Sequence, residues 1–208
     1  VAVGSGATLD VSSGTNLANP LSLSSGARLA GSGTLSSVGG VSFGSGTLLS
    51  PGGAGRVGTL TFATPLTLGS GSSFEFDVQN LKASPGTGWD LVFAYNQVNL
   101  ASTASNPILI NLNSLTLGGA PGLVSGFDAS QSYTWLFLVS DVRNFSQDLF
   151  AFNTANFANS LDGGTFKVAQ GTAGLNITFT PVPEPATYLL FASGLALVAA
   201  LELRRRKK

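Results

Sequence analysis

Glu75 and Asp77 alternate along Ser73-Phe-Glu-Phe-Asp-Val78, and Asp90 follows a short way on. Alternate residues of a strand share a face, so Glu75 and Asp77 stand together on the side opposite Phe74, Phe76 and Val78. Three gathered carboxylates would suit a hard cation or, as an acid and a base, glycoside hydrolysis. The plainer expectation is that they are solvated outward residues. Asp128, Asp141, Asp148 and Asp162 fall in or beside loops, where Asp caps turns. The chain has no Cys and no His, which removes thiolates, disulfides, an imidazole base and His metal ligands. Its many serines have no His partner to activate one as a nucleophile. We therefore expect no catalytic residue, no metal ligand and no cofactor, and read the chain as non-enzymatic.

The other segment with chemistry to offer is the tail. Pro183-Glu184-Pro185 precedes an uncharged run from Ala186 to Leu201, and Arg204, Arg205, Arg206, Lys207 and Lys208 close the chain. Two prolines hold a backbone extended and remove amide donors, so the tripeptide can join neither helix nor strand. That leaves it open as a handle for a protease. A helix without a polar face needs an apolar solvent, and lipid is the obvious one. At 1.5 Å per residue the run covers roughly 24 Å, and snorkelling arginines close most of the gap to a bilayer core of about 30 Å. A transmembrane helix is expected at about 186–203. The basic cluster is a stop-transfer element that stays cytoplasmic, which places residues 1 to 182 outside the cytoplasm.

A Pro-Glu-Pro tripeptide, an apolar helix and a terminal basic cluster, in that order, resemble the PEP-CTERM sorting signal of Gram-negative bacteria. The resemblance implies recognition at Pro183, Glu184 and Pro185 by exosortase, a membrane-embedded cysteine transpeptidase. It also implies processing and delivery to the cell surface or the extracellular polysaccharide.

Outside the tail, only Arg28, Arg56, Lys82, Arg143 and Lys167 are basic, so the body is mildly acidic. It has no electrostatic footprint for nucleic acid. Few charges and 27 glycines suit a β-rich exported body. The chain starts without Met and inside a repeat, so further repeats and an export signal are expected upstream.

The repeat is an apolar residue, any residue, Ser-Gly, two residues and another apolar residue. Its glycines recur at Gly6, Gly26, Gly46 and Gly71, in steps of 20, 20 and 25. One unit cannot bury its apolar edge alone, but stacked units share a core. The spacing predicts coils of a parallel β-helix over residues 1–76, with glycines at corners that need positive φ or close approach. Leu29-Ala-Gly-Ser-Gly-Thr-Leu35 and Gly46-Thr-Leu-Leu-Ser-Pro-Gly-Gly-Ala-Gly-Arg-Val-Gly-Thr-Leu60 resemble autotransporter-associated β-strand repeats. That resemblance implies a right-handed β-helix stalk.

From residue 77 to 180 the texture turns to aromatics, Asn and Asp, read as a β-rich cap. Strands are expected at 73–78, 90–95, 108–112, 133–139, 165–169 and 175–179. Residues 148–159 are expected to be a short helix or an irregular cover. Trp89, Trp135, Phe137 and Phe166 are expected to close the end of the β-helix. The whole is thus an all-β chain: repeats over 1–76, a cap over 77–180, and a sorting and anchor segment over 181–208. The leading function is a non-enzymatic surface or matrix protein whose partners are an exosortase, the lipid bilayer and extracellular polysaccharide. The alternatives are a polysaccharide-binding or -cleaving β-helix whose active part lies upstream, or a permanent single-pass anchor.

Overall fold

The computed structural model describes residues 1–183, and the chain there turns through successive coils of three strands. The first coil is β1 (Ala2–Val3), β2 (Thr8–Asp10) and β3 (Thr15–Leu17), the second β4 (Ser22–Leu23), β5 (Arg28–Gly31) and β6 (Thr34–Ser37). The third holds β7 (Val41–Phe43), β8 (Leu48–Pro51) and β9 (Thr59–Phe62), the fourth β10 (Leu66–Gly69), β11 (Ser73–Val78) and β12 (Leu91–Ala94). A fifth is β13 (Val98–Ala101), β14 (Ile108–Ser114) and β15 (Tyr133–Val139). The last coil has β16 (Val142–Arg143) and β17 (Phe150–Asn156), followed by the pair β18 (Thr165–Gly171) and β19 (Gly174–Thr180).

Along each face a strand pairs in parallel with the strand three places on, except between β4 and β7 and at the closing pair β18–β19. The second face runs β2-β5-β8-β11-β14-β17, the third β3-β6-β9-β12-β15, and the first β1-β4 then β7-β10-β13-β16. Three stacked parallel faces are the arrangement of a β-helix. In-register stacking is what makes the core. Leu9, Leu29, Leu49, Phe74, Ile110 and Phe152 form one inward column, and Val41, Leu66, Val98 and Val142 another. Burying each such side chain is worth about 1.5–3 kcal/mol.

The Ser-Gly repeat explains the first corner of the first four coils. Ala7, Ala27, Thr47 and Ser72 donate their amides to the carbonyls of Gly4, Ser24, Gly44 and Gly69 at 2.9–3.3 Å. Gly6, Gly26, Gly46 and Gly71 hold φ of +74°, +84°, +76° and +69° at the third position of each turn. That is the geometry of a type II turn, which demands glycine there. The corners also bond to one another, because the amides of Gly6, Gly26 and Gly46 donate to the carbonyls of Gly26, Gly46 and Gly71 at 3.0, 2.8 and 2.9 Å.

The parallel stack does not end at residue 76. That boundary falls inside β11, and β14 and β17 continue the second face with the same register rule. The change in texture comes from longer loops and a more aromatic core in the later coils, not from a change of fold. Residues 148–159 are also not a helix. A short 3-10 turn at Gln147–Leu149 leads into β17, because Phe150 and Phe152 pair in register with Ile108 and Ile110.

The stack closes where β19 lies antiparallel on β15 and β18 on β19. Phe166 sits 5.9 Å from Trp135, 5.6 Å from Phe157 and 5.0 Å from Phe179, ring centre to ring centre. Phe137 belongs instead to the interior, 5.5 Å from Phe74 and 6.2 Å from Phe76. Trp89 is set at the flank, its Nε1 donating to the Leu136 carbonyl at 3.0 Å. No helix among the described residues is long and apolar enough to cross a membrane. The helix expected at about 186–203 lies outside those residues.

Candidate functional site

The long loops gather at one corner, between the second and third faces, in the gaps β8–β9, β11–β12 and β14–β15. Insertions collected along one edge of a repeat stack are a common way to build a binding surface. Here they lie against the outward side of the second face, where Glu75 and Asp77 stand.

The three carboxylates are together but not solvated. Asp77 and Asp90 are both fully buried, and Glu75 is mostly covered. Asp90 reaches back between strands: its Oδ1 accepts the Gly58 amide at 2.8 Å and its Oδ2 the Asp77 amide at 2.9 Å. It thereby ties the β8–β9 loop to β11. Glu75 Oε2 accepts from Ser50 Oγ at 2.7 Å and pairs with the Arg28 guanidinium, which also donates to Ser50 Oγ at 3.0 Å. The expectation of solvated residues is therefore corrected. The register places Glu75 beside Asn111, its carboxylate reaches Ser50, and the loops cover what a bare sheet would expose.

Beyond β11 the column becomes a chain of amides. Asn113 Nδ2 donates to Asp77 Oδ1 at 2.8 Å, and Asn156 Nδ2 donates to Asn113 Oδ1 at 3.1 Å. A parallel rung joins Asn153 Nδ2 to Asn111 Oδ1 at 3.1 Å. Asp77 Oδ2 is buried with no hydrogen-bond partner, as is Arg28 Nε.

Electrostatics follow from this packing. Burial, reinforced by the charge of Asp77, pushes the Asp90 carboxyl well above the ordinary aspartate range, against the pull of its two amide donors. Burial also raises Asp77, partly offset by Asn113, by the backbone amides of Arg56 and Gly55, and by Arg28. Asp128 is the opposite case. The Ser130 amide and hydroxyl hold it below its usual value in an exposed turn.

A groove of about 490 Å³ opens beside these groups. Glu75, Asp77, Asn113 and Asn156 supply its polar side, and Leu115 and Pro121 much of its apolar side. No cluster of three carboxylates arranged around a common point occurs among the described residues. Asp90 spends both oxygens on backbone amides.

Sequence reasoning found Glu75, Asp77 and Asp90 but missed Arg28, Ser50 and the asparagines. The alternation Asn111-Leu-Asn113 matches Glu75-Phe-Asp77 and is a usable signal. Pairing the two needs the strand register, which loops of unequal length conceal.

At the tail, Pro181 to Pro183 follow β19 with no strand partner, and Val182 and Pro183 are exposed. Glu184, Pro185 and the cluster Arg204 to Lys208 lie outside the described residues. Gly6, Gly26, Gly46 and Gly71 are the corner glycines, as above. Residues 181–207 match the family model of the PEP-CTERM protein-sorting motif. No curated protein and no solved structure matches the chain.

Proposed function

We propose that this chain is an exported bacterial surface or extracellular-matrix protein, delivered by a sorting tail that an exosortase-type membrane transpeptidase recognises. The match of residues 181–207 to the protein-sorting motif carries this reading. The tripeptide begins at Pro183, which is exposed and lies three residues past the end of β19. The apolar segment at about 186–203 holds the chain in the bilayer during sorting, with Arg204 to Lys208 on the cytoplasmic side.

The body is a right-handed β-helix stalk of the kind that autotransporter-associated repeats form, and it works as a scaffold without catalysis. Support comes from the carboxylates themselves. Glu75 is engaged by Arg28 and Ser50, and Asp90 by two amides, so neither is poised to transfer a proton. Extracellular polysaccharide is the medium in which such a stalk would end.

The test is fractionation of a producing strain with and without its exosortase. The expected result is protein at the surface or in the medium when the enzyme is present, and retention in the membrane when it is absent. Identical membrane retention in both strains would instead make the tail a permanent single-pass anchor.

A further inference from the structure

An apolar stripe stands on the outward side of the third face, on β12. Val92 and Ala94 are buried, so Leu91, Phe93 and Tyr95 alternate outward along the strand and one residue past its end. Leu91 and Phe93 are half-buried, and Tyr95 is 72% exposed. Phe93 meets Tyr95 edge-on, with ring centres 5.0 Å apart and planes at 72°, and so props the tyrosine ring. The preceding coil puts Thr61 in register with Phe93, and the exposed Ala63 that ends this part of the coil is too short to cover the ring. Single apolar residues on a surface need no explanation, but three alternating along one strand make a continuous patch.

Polar groups adjoin the stripe where the chain turns from β12 to β13. Tyr95, Asn96 and Gln97 form that corner, and Ser140 and Asp141 form the equivalent one a coil further on. The two corners are tied together. Ser140 Oγ donates to the Asn96 carbonyl and Gln97 Nε2 donates to Asp141 Oδ2, both at 2.8 Å. This fixes the exposed Asp141 carboxylate at the corner that Tyr95 opens, with Oδ1 uncommitted among the described residues.

We propose that this stripe is a binding platform for a neutral polysaccharide, with Tyr95 as the residue on which a sugar ring packs. A pyranose presents an apolar C–H face rimmed by hydroxyls. A tyrosine ring with Thr61, Gln97 and Asp141 around it presents the matching surface, apolar in the middle and hydrogen-bonding at the edge. Charge selects among partners. Among these residues only Asp141 is charged, so phosphate or uronate chains meet repulsion and an anionic bilayer finds no cation. The proposal rests on the reading of an exported protein that ends in extracellular polysaccharide, and it gives that partner a place on the body.

The experiment is native affinity electrophoresis of the full chain in a detergent without a sugar headgroup. The gels contain the extracellular polysaccharide of the producing strain, separated into neutral and acidic fractions. Retardation by the neutral fraction and none by the acidic one is the expected result. Tyr95→Ala should weaken it about tenfold or more, while Tyr95→Phe, which keeps the ring, should stay within a few-fold of the parent. Tyr95 lies outside the core, so its loss should leave the fold intact. No retardation by the neutral fraction, equal retardation of Tyr95→Ala, or stronger retardation by the acidic fraction would overturn the platform. Tyr95-dependent self-association in gels without glycan would reassign the patch to contact between copies and overturn it equally. Lost glycan binding would leave delivery by the tail standing, and failed delivery in the strain would leave the gel result unchanged.

Discussion

Gly46 sits at one of four corners with a common backbone geometry, and a side chain there would meet Ser25 of the preceding coil. A Cβ there would lie 2.2 Å from Ser25 Oγ of the preceding coil, on a φ of +76° that other residues seldom adopt. Gly46→Ala should lower the urea-derived stability by about 1–3 kcal/mol. Gly44→Ala, where nothing lies within 4 Å, should change it by no more than about 0.5 kcal/mol. The buried aspartates make a second residue-scale prediction. Both are raised in the folded state, so the native protein binds more protons than the unfolded chain above the ordinary aspartate value of about 3.9. Stability should accordingly fall as pH rises from about 4 through the raised native values. Urea denaturation across that window should show the slope, and Asp90→Asn should flatten it. A flat profile in the parent chain would mean that both groups titrate normally.

At the scale of elements, the closing pair β18–β19 takes the place that another parallel strand would occupy beside β15. Phe179 is buried there, 5.2 Å from Phe127 and 5.0 Å from Phe166. Phe179→Ala should cost about 3–5 kcal/mol and increase aggregation by uncovering the β15 edge, measured by denaturation and light scattering. Much of this was readable beforehand. The ends of β11 and β15 are those expected from apolar alternation, and the corner glycines follow from their spacing with Ser. The continuation of the stack past residue 76 was not legible, because long loops break the repeat while the pairing rule persists. β17 was hidden for a related reason. Leu149, Phe150, Phe152 and Phe157 lack strict alternation, and it is register with β14 that makes the segment a strand. The covering of Asp77 and Asp90 depends on loops far apart in sequence and could not be read from local pattern.

The described residues form a stacked β body, and a sequence that matches a sorting motif follows it at residues 181–207. The body explains its own persistence outside a cell without disulfides, through in-register columns of Leu, Val and Phe and bonded corners. The tail explains where the body goes. The most direct measurement is the intact mass of the mature protein from its producing strain, alongside a variant with Pro183, Glu184 and Pro185 changed to Ala. A parent mass lacking the apolar segment and basic cluster, with the variant retained at full length in the membrane, is the expected result. Full-length mass for both would contradict sorting at the tripeptide and leave the protein a permanent membrane anchor.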